Sequence, residues 1–220
     1  MQDTPGDSKL EAKEYFERDC MTQNVVPKNY DADNGRFAEN IFKQGCGSKM
    51  QHLNFCGVGA HHQNGVSERI TKDLNFSLRT LVVHAQHYWT EYVTTMLWTF
   101  ALVACADIIN NLHVEMNGET QEIKISDTIG STTRLSNFHT FGCPVYILDA
   151  RLQSVGGGGP PKCDPRAYLG IYLGHYTSHA GSVELVMNPK SGLVSPQFHL
   201  VFDDNFETVP HIWAGTVPEN

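Results

Sequence analysis

Near residue 113 the periodicity of the chain changes from that of helices to that of strands, and one regular layer cannot satisfy both. Before the change, Leu74, Leu78, Leu81, Val82 and Ala85 recur at helical spacing. They predict a helix starting at Ser67. Trp89, Val93, Leu97, Phe100 and Ala101 predict a second helix over about 89–112. After the change come short β-rich runs: "GCPVYILD", "AYLGIYLGHY", "SVELVMN" and "GLVSPQFHLVFDD". Gly- and Pro-bearing stretches ("QSVGGGGPPKCDP", "TSHAG", "PKSG") separate them, as turns separate the strands of a small all-β barrel. The polar stretch between the two regimes carries no clear period and reads as a linker over 113–137. The expected division is an α/β region over 8–112, that linker, a β-barrel over 138–209, and a tail over 210–220.

The first region opens with "SKLEAKEYFERDC", which sets Leu10, Tyr15 and Phe16 among charges and predicts a short amphipathic helix. "NVVPKNY" reads as extended, although Pro27 removes a ladder donor. Asp33-Asn34-Gly35 then marks a turn. A helix over 36–50 follows, with Phe37, Ile41 and Phe42 on one stripe and Gly45 and Gly47 as its stop. A strand over 52–56 completes an order of helix, strand, helix, strand, helix, helix, which suggests α/β architecture. In the second region the alternating core candidates are Val145, Ile147, Leu169, Ile171, Leu185, Phe198 and Val201.

Several classes of function are disfavoured. A net charge of -8 and a pI near 5.7 argue against strong unaided binding to a polyanion, and residues 138–209 hold four basic and six acidic side chains. No run of 18 apolar residues exists to span a membrane, and the first 20 residues lack the basic and apolar regions of a signal peptide. Six cysteines without a C-x-x-C pair suit reduced intracellular thiols rather than a disulfide frame or zinc site. His84 and His87 lack cysteine partners for zinc, and Gly156 to Gly159 lack the lysine and helix of a phosphate-binding loop.

Two acids stand where strand and helix signals meet. Asp33 closes a strand candidate, and Glu68, 35 positions later, opens an amphipathic helix. The helix and strand between them supply a path that folds back, bringing a strand end to a helix start. Such a carboxylate pair suits Mg²⁺ or Mn²⁺, which take oxygen ligands, and two-metal sites of this kind activate the attacking oxygen and stabilise the leaving one. Taken singly, Asp33 suits a turn and Glu68 suits the positive end of a helix dipole.

The flanking residues "DADNGRFAENIF" and "HHQNGVSERITKDL" resemble the integrase core of copia-type LTR retrotransposon Pol polyproteins. The resemblance continues through "LVVHAQHYW" and "MLWTFAL" into "FHTFGCPVYILDARLQ", "DPRAYLGIYLGHYTSHAGSVELVMN" and "GLVSPQFHLVFDDNFETV", covering roughly 8–209. It implies a partial RNase H-like core followed by a small SH3-like barrel. Asp33 resembles the second and Glu68 the third acid of the family's Asp-Asp-Glu metal triad. Both would ligate Mg²⁺ or Mn²⁺, with Asn34 and Gly35 shaping the turn that presents Asp33. Gln63 and Asn64 would contact DNA, and Lys72 and Arg79 would face phosphates. The family's activity is cutting and joining DNA ends. Implied partners are element-end and target DNA, with self-association of integrase, at an intracellular and, for an active protein, nuclear location.

The family's first acid lies on a strand well upstream of the second. Only 32 residues precede Asp33, and Asp3 and Asp7 sit in "MQDTPGDS", which has no strand pattern. The family's zinc module and the three antiparallel strands that open its core have no counterpart either. The expectation is an N-terminally truncated core with an incomplete catalytic set and no autonomous activity. A non-catalytic module binding protein or nucleic acid, and a relic without function, are the alternatives.

Overall fold

The computed structural model describes residues 5–22, 24–32, 37, 40–57, 65–112, 137–153, 159–175 and 182–214. Asp33, Asn34, Gly35, Gln63, Asn64, residues 113–136 of the expected linker and Gly156 to Gly158 of the four-glycine run lie outside the described residues. The chain is mixed α/β and divides into two compact units. One comprises 1–73 and 116–132, the other 74–115 and 133–220.

In the first unit, α1 (Pro5–Thr22) precedes β1 (Asn29–Ala32), α2 (Asn40–Ser48) and β2 (His52–Phe55). β1 and β2 pair in parallel, from Asn29 opposite His52 to Ala32 opposite Phe55, with α2 in the connection. A parallel pair needs such a crossover, since no tight hairpin can join strands running the same way. Pro27 stays outside the ladder, and its carbonyl accepts a hydrogen bond from Gln51 Nε2 at 3.1 Å.

Two local expectations are corrected here. α2 does not stop at Gly45 and Gly47 but runs through both to Ser48. Gly45 is the place where Leu10 of α1 meets the helix, because an added Cβ would lie 2.5 Å from Leu10 Cδ1. On α1, Tyr15 and Phe16 face solvent, Tyr15 being 67% exposed, while Lys13 and Glu17 are buried. The apolar stripe of this helix is thus displaced by a buried ion pair.

The second unit contains the rest of α3 (Gly65–Tyr88), whose course crosses the boundary after Asp73, and α4 (Trp98–Leu112). It also holds β3 (Pro144–Leu148), α5 (Ala150–Gln153), β4 (Ala167–His175), β5 (Glu184–Met187), β6 (Val194–Gln197), β7 (Leu200–Phe202) and α6 (Val209–Trp213). The strands form one antiparallel sheet in the order β6-β5-β4-β3-β7.

The helix expected from residue 89 begins later, at Trp98, after a turn at Thr95–Leu97 whose Met96 N–H donates to the Thr94 hydroxyl. Trp89 is instead a fully buried anchor at the end of α3, its indole N–H donating to the Gly142 carbonyl at 2.7 Å. "GLVSPQFHLVFDD" is likewise two strands. His199 adopts a left-handed φ of 57°, and the chain passes from β6 on one edge of the sheet to β7 on the other. Phe198 (45% exposed) and Val201 (68% exposed) consequently lie outside the core. Val145, Ile147 and Ile171 are buried in it, and Leu169 and Leu185 pack against it. That core also includes Val82, Ala85, Trp89, Val93, Leu97, Ala101 and Ala104. Residues 74–112, assigned by sequence to the first region, therefore share a core with the sheet.

Candidate functional site

The parallel β1–β2 pair defines an edge at which both strands end together. Ala32, buried at the end of β1, is opposite Phe55, and its carbonyl accepts from the Cys56 N–H at 3.2 Å. Asn54 Nδ2 donates to Asp31 Oδ1 at 3.0 Å across the same ladder. In open α/β sheets the carboxyl ends of the strands are where ligands bind, since the chain leaves the ladder there and can present side chains. The next residue of the sequence after β1 is Asp33, which lies outside the described residues, as do Gln63 and Asn64.

Glu68 lies in the first turn of α3, where a negative charge is favoured by the unpaired N–H groups of the helix start. It is exposed, and so is Lys72, one turn further along and on the same helical face. Arg79 is exposed on the later part of the same helix. Arg69 and Asp73 form an exposed i,i+4 pair at 3.7 Å. No three His, Cys, Asp or Glu side chains among the described residues are grouped to hold a metal ion. Of the two expected acids only Glu68 lies among the described residues, so no catalytic step through Mg²⁺ or Mn²⁺ is derived from them.

The polar cluster that sequence reasoning missed lies behind β1. Glu17, 1% exposed, accepts on Oε1 from Lys13 Nζ at 2.6 Å, Gln51 Nε2 at 2.6 Å and the Tyr30 hydroxyl at 2.8 Å. Its Oε2 accepts from Lys49 Nζ at 2.6 Å. Lys13 Nζ also donates to Gln51 Oε1 at 2.7 Å. Burial by itself would raise the Glu17 pKa. The bonds from Lys13, Lys49, Gln51 and Tyr30 prevail and bring it from 4.5 down to about 2. Burial, together with the bond to Glu17, pushes the Tyr30 phenol upward. The bond to Glu17 also raises Lys49. Because all four donors converge on one carboxylate, the cluster is closed to further ligands. Its work is to fix β1, through Tyr30, against α1 and the turn after α2. The i,i+4 spacing of Lys13 and Glu17 was the available signal, and it is the same signal that an ordinary solvated pair gives.

No protein-family model and no curated protein matches the chain. Among solved structures, it is similar to a chain of the simian T-cell lymphotropic virus intasome in complex with the PP2A regulatory subunit B56 gamma, determined by cryoEM. The identity is 15% and the TM-score 0.43, over 89% of this chain. The match spans 62% of the length of that intasome-complex chain.

Proposed function

We propose that the chain derives from the integrase segment of a copia-type retrotransposon polyprotein. On this reading the first unit is a partial RNase H-like core and the antiparallel sheet is an SH3-like module. Asp33 and Glu68 are the two metal-binding acids that its residues supply. The observation that supports the reading most is the β1–α2–β2 crossover followed by α3. In chain order it sets a strand ending one residue before Asp33 ahead of a helix carrying Glu68 in its first turn. The order is the one the "DADNG" and "QNGVSER" motifs imply. Gln63 and Asn64 then contact element-end DNA, with Lys72 and Arg79 toward phosphates. A two-carboxylate set leaves one side of a metal pair without its ligand, so the chain alone does not join DNA ends.

Two measurements test this. Mn²⁺ titrated into the ¹⁵N-labelled chain broadens the amides of β1 and of the first turn of α3 together, and Asp33→Asn abolishes both effects. Broadening confined to one segment, or unaffected by Asp33→Asn, removes the shared-ion reading. Strand-transfer assays with element-end DNA in Mg²⁺ or Mn²⁺ yield no joined product. Joining that disappears in both Asp33→Ala and Glu68→Ala would overturn the claim of inactivity and assign a third acid to the set.

A further inference from the structure

The β4–β5 ladder contains one irregularity, and it changes which side chain faces a buried acid. Ile171 is opposite Met187 and Tyr172 opposite Val186, but the next pairs are Gly174 with Leu185 and His175 with Glu184. Leu173 is the extra residue of a β-bulge, and Gly174 takes a φ of 122°, which L side chains rarely adopt. Without the bulge, Gly174 would stand opposite Glu184. With it, an imidazole does. His175 Nδ1 lies 3.4 Å from Oε1 and 3.3 Å from Oε2 of Glu184. Glu184 is only 5% exposed, and its Oε2 accepts no hydrogen bond.

Among the described residues, the groups around this carboxyl come from three directions. Tyr172 hydrogen-bonds it from β4, beside His175. His139, from the segment before β3, stands edge-on to Tyr172 with ring centroids 5.9 Å apart. That imidazole is held by Asp204 at 3.0 Å and stacked on Phe202. Gln197 of β6 is the opposite residue on the other side and is neutral. Asp107 of α4 and Asp204 add negative charge near Tyr172. Burial pushes the Glu184 carboxyl up, offset in part by His175, His139 and Tyr172. An ionised carboxylate here would keep one oxygen both dry and without a donor, a costly arrangement unless His175 carries the compensating charge.

We propose that Glu184, set opposite His175 by the bulge, is a proton-operated latch on this end of the β4–β5 ladder, closed while its buried carboxyl holds a proton and opened when the proton leaves. The buried carboxyl sets the sign: Glu184 is raised above its ordinary value of 4.5, so its share of stability is present while it holds the proton and is lost as rising pH removes it. Once the carboxyl is deprotonated, its Oε2 has no hydrogen-bond donor among the described residues, and the strand end separates to hydrate it.

Amide hydrogen exchange of the full chain from pH 4.5 to 9, corrected for intrinsic chemistry, tests the latch. Protection at Leu185 and Val186 falls by up to about tenfold per pH unit, the slope of one linked proton, while Tyr146 of β3 stays level. In Glu184→Gln the fall disappears. A flat wild-type profile at β5, or a fall that persists in Glu184→Gln, overturns the proposal. The ¹³C shift of the wild-type Glu184 carboxyl provides a second reading that needs no variant. A midpoint above 4.5 is expected, and one at or below it overturns the latch.

Discussion

The Glu17 carboxylate holds four donors from α1, β1 and the turn after α2, and few single groups bear on so many elements at once. Its pKa of about 2 against 4.5 corresponds to about 3 kcal/mol of stability. The folded value is depressed, so this contribution is complete above pH 4.5 and is lost as pH falls toward 2. Glu17→Gln should therefore lower the stability of the first unit by about 3 kcal/mol at pH 7 and flatten its acid dependence between pH 4.5 and 2. The three tryptophans, at 89, 98 and 213, belong to the other unit, so the readout is amide exchange at His52 and Cys56, whose N–H groups donate to Lys28 and Ala32. Unchanged protection in the variant would show that Glu17 is dispensable. The cluster was illegible in the sequence because its members come from three separate stretches, and only Lys13 and Glu17 are neighbours on a helix. Glu68 was legible as a helix-start acid because that role depends on local position alone.

At the scale of elements, burial decides which local signals prevail. Alternation anticipates one wet and one dry face for β4, yet Gly170 to Gly174 are all buried, so both faces of the strand are covered there. Such a strand cannot display a period of two, and its core membership reads poorly from sequence. The start of α4 failed for a related reason. Trp89 matches the helical stripe of the following residues, but its indole is committed to the Gly142 carbonyl, and the chain turns before the helix resumes. Trp89→Phe should cost roughly 1–3 kcal/mol, since it leaves a buried carbonyl without its donor besides losing volume. Urea unfolding followed by near-ultraviolet circular dichroism measures this. A midpoint equal to the parent chain's would mean that the carbonyl finds another donor. The split of the last β-run was equally hidden, because it depends on the backbone of His199 rather than on any hydrophobic pattern.

The whole molecule carries its hydrophobic core across the change of period at residue 113. Helical runs and strand runs were each legible, and their sharing of one core was not, since periodicity says which face is apolar but not what covers it. Val82, Ala85, Trp89, Val93, Leu97, Ala101 and Ala104 are all buried with the sheet residues, and Gly174 of β4 faces Ala104 of α4. An antiparallel sheet stripped of these helices would expose Phe141, Cys143 and Ile171, which are now almost inaccessible. A fragment spanning 74–214 is accordingly expected to unfold in one cooperative transition with fixed aromatic signals, because it keeps the complete set of core residues. The shorter fragment 137–214 should retain strand signal, lose near-ultraviolet dichroism and bind a hydrophobic dye, the behaviour of a chain whose specific packing has been removed. Comparing urea midpoints and dye binding of the two fragments decides the matter. Equal midpoints would show that the strands close a sufficient core by themselves, and would return residues 74–112 to the first region where their sequence position puts them.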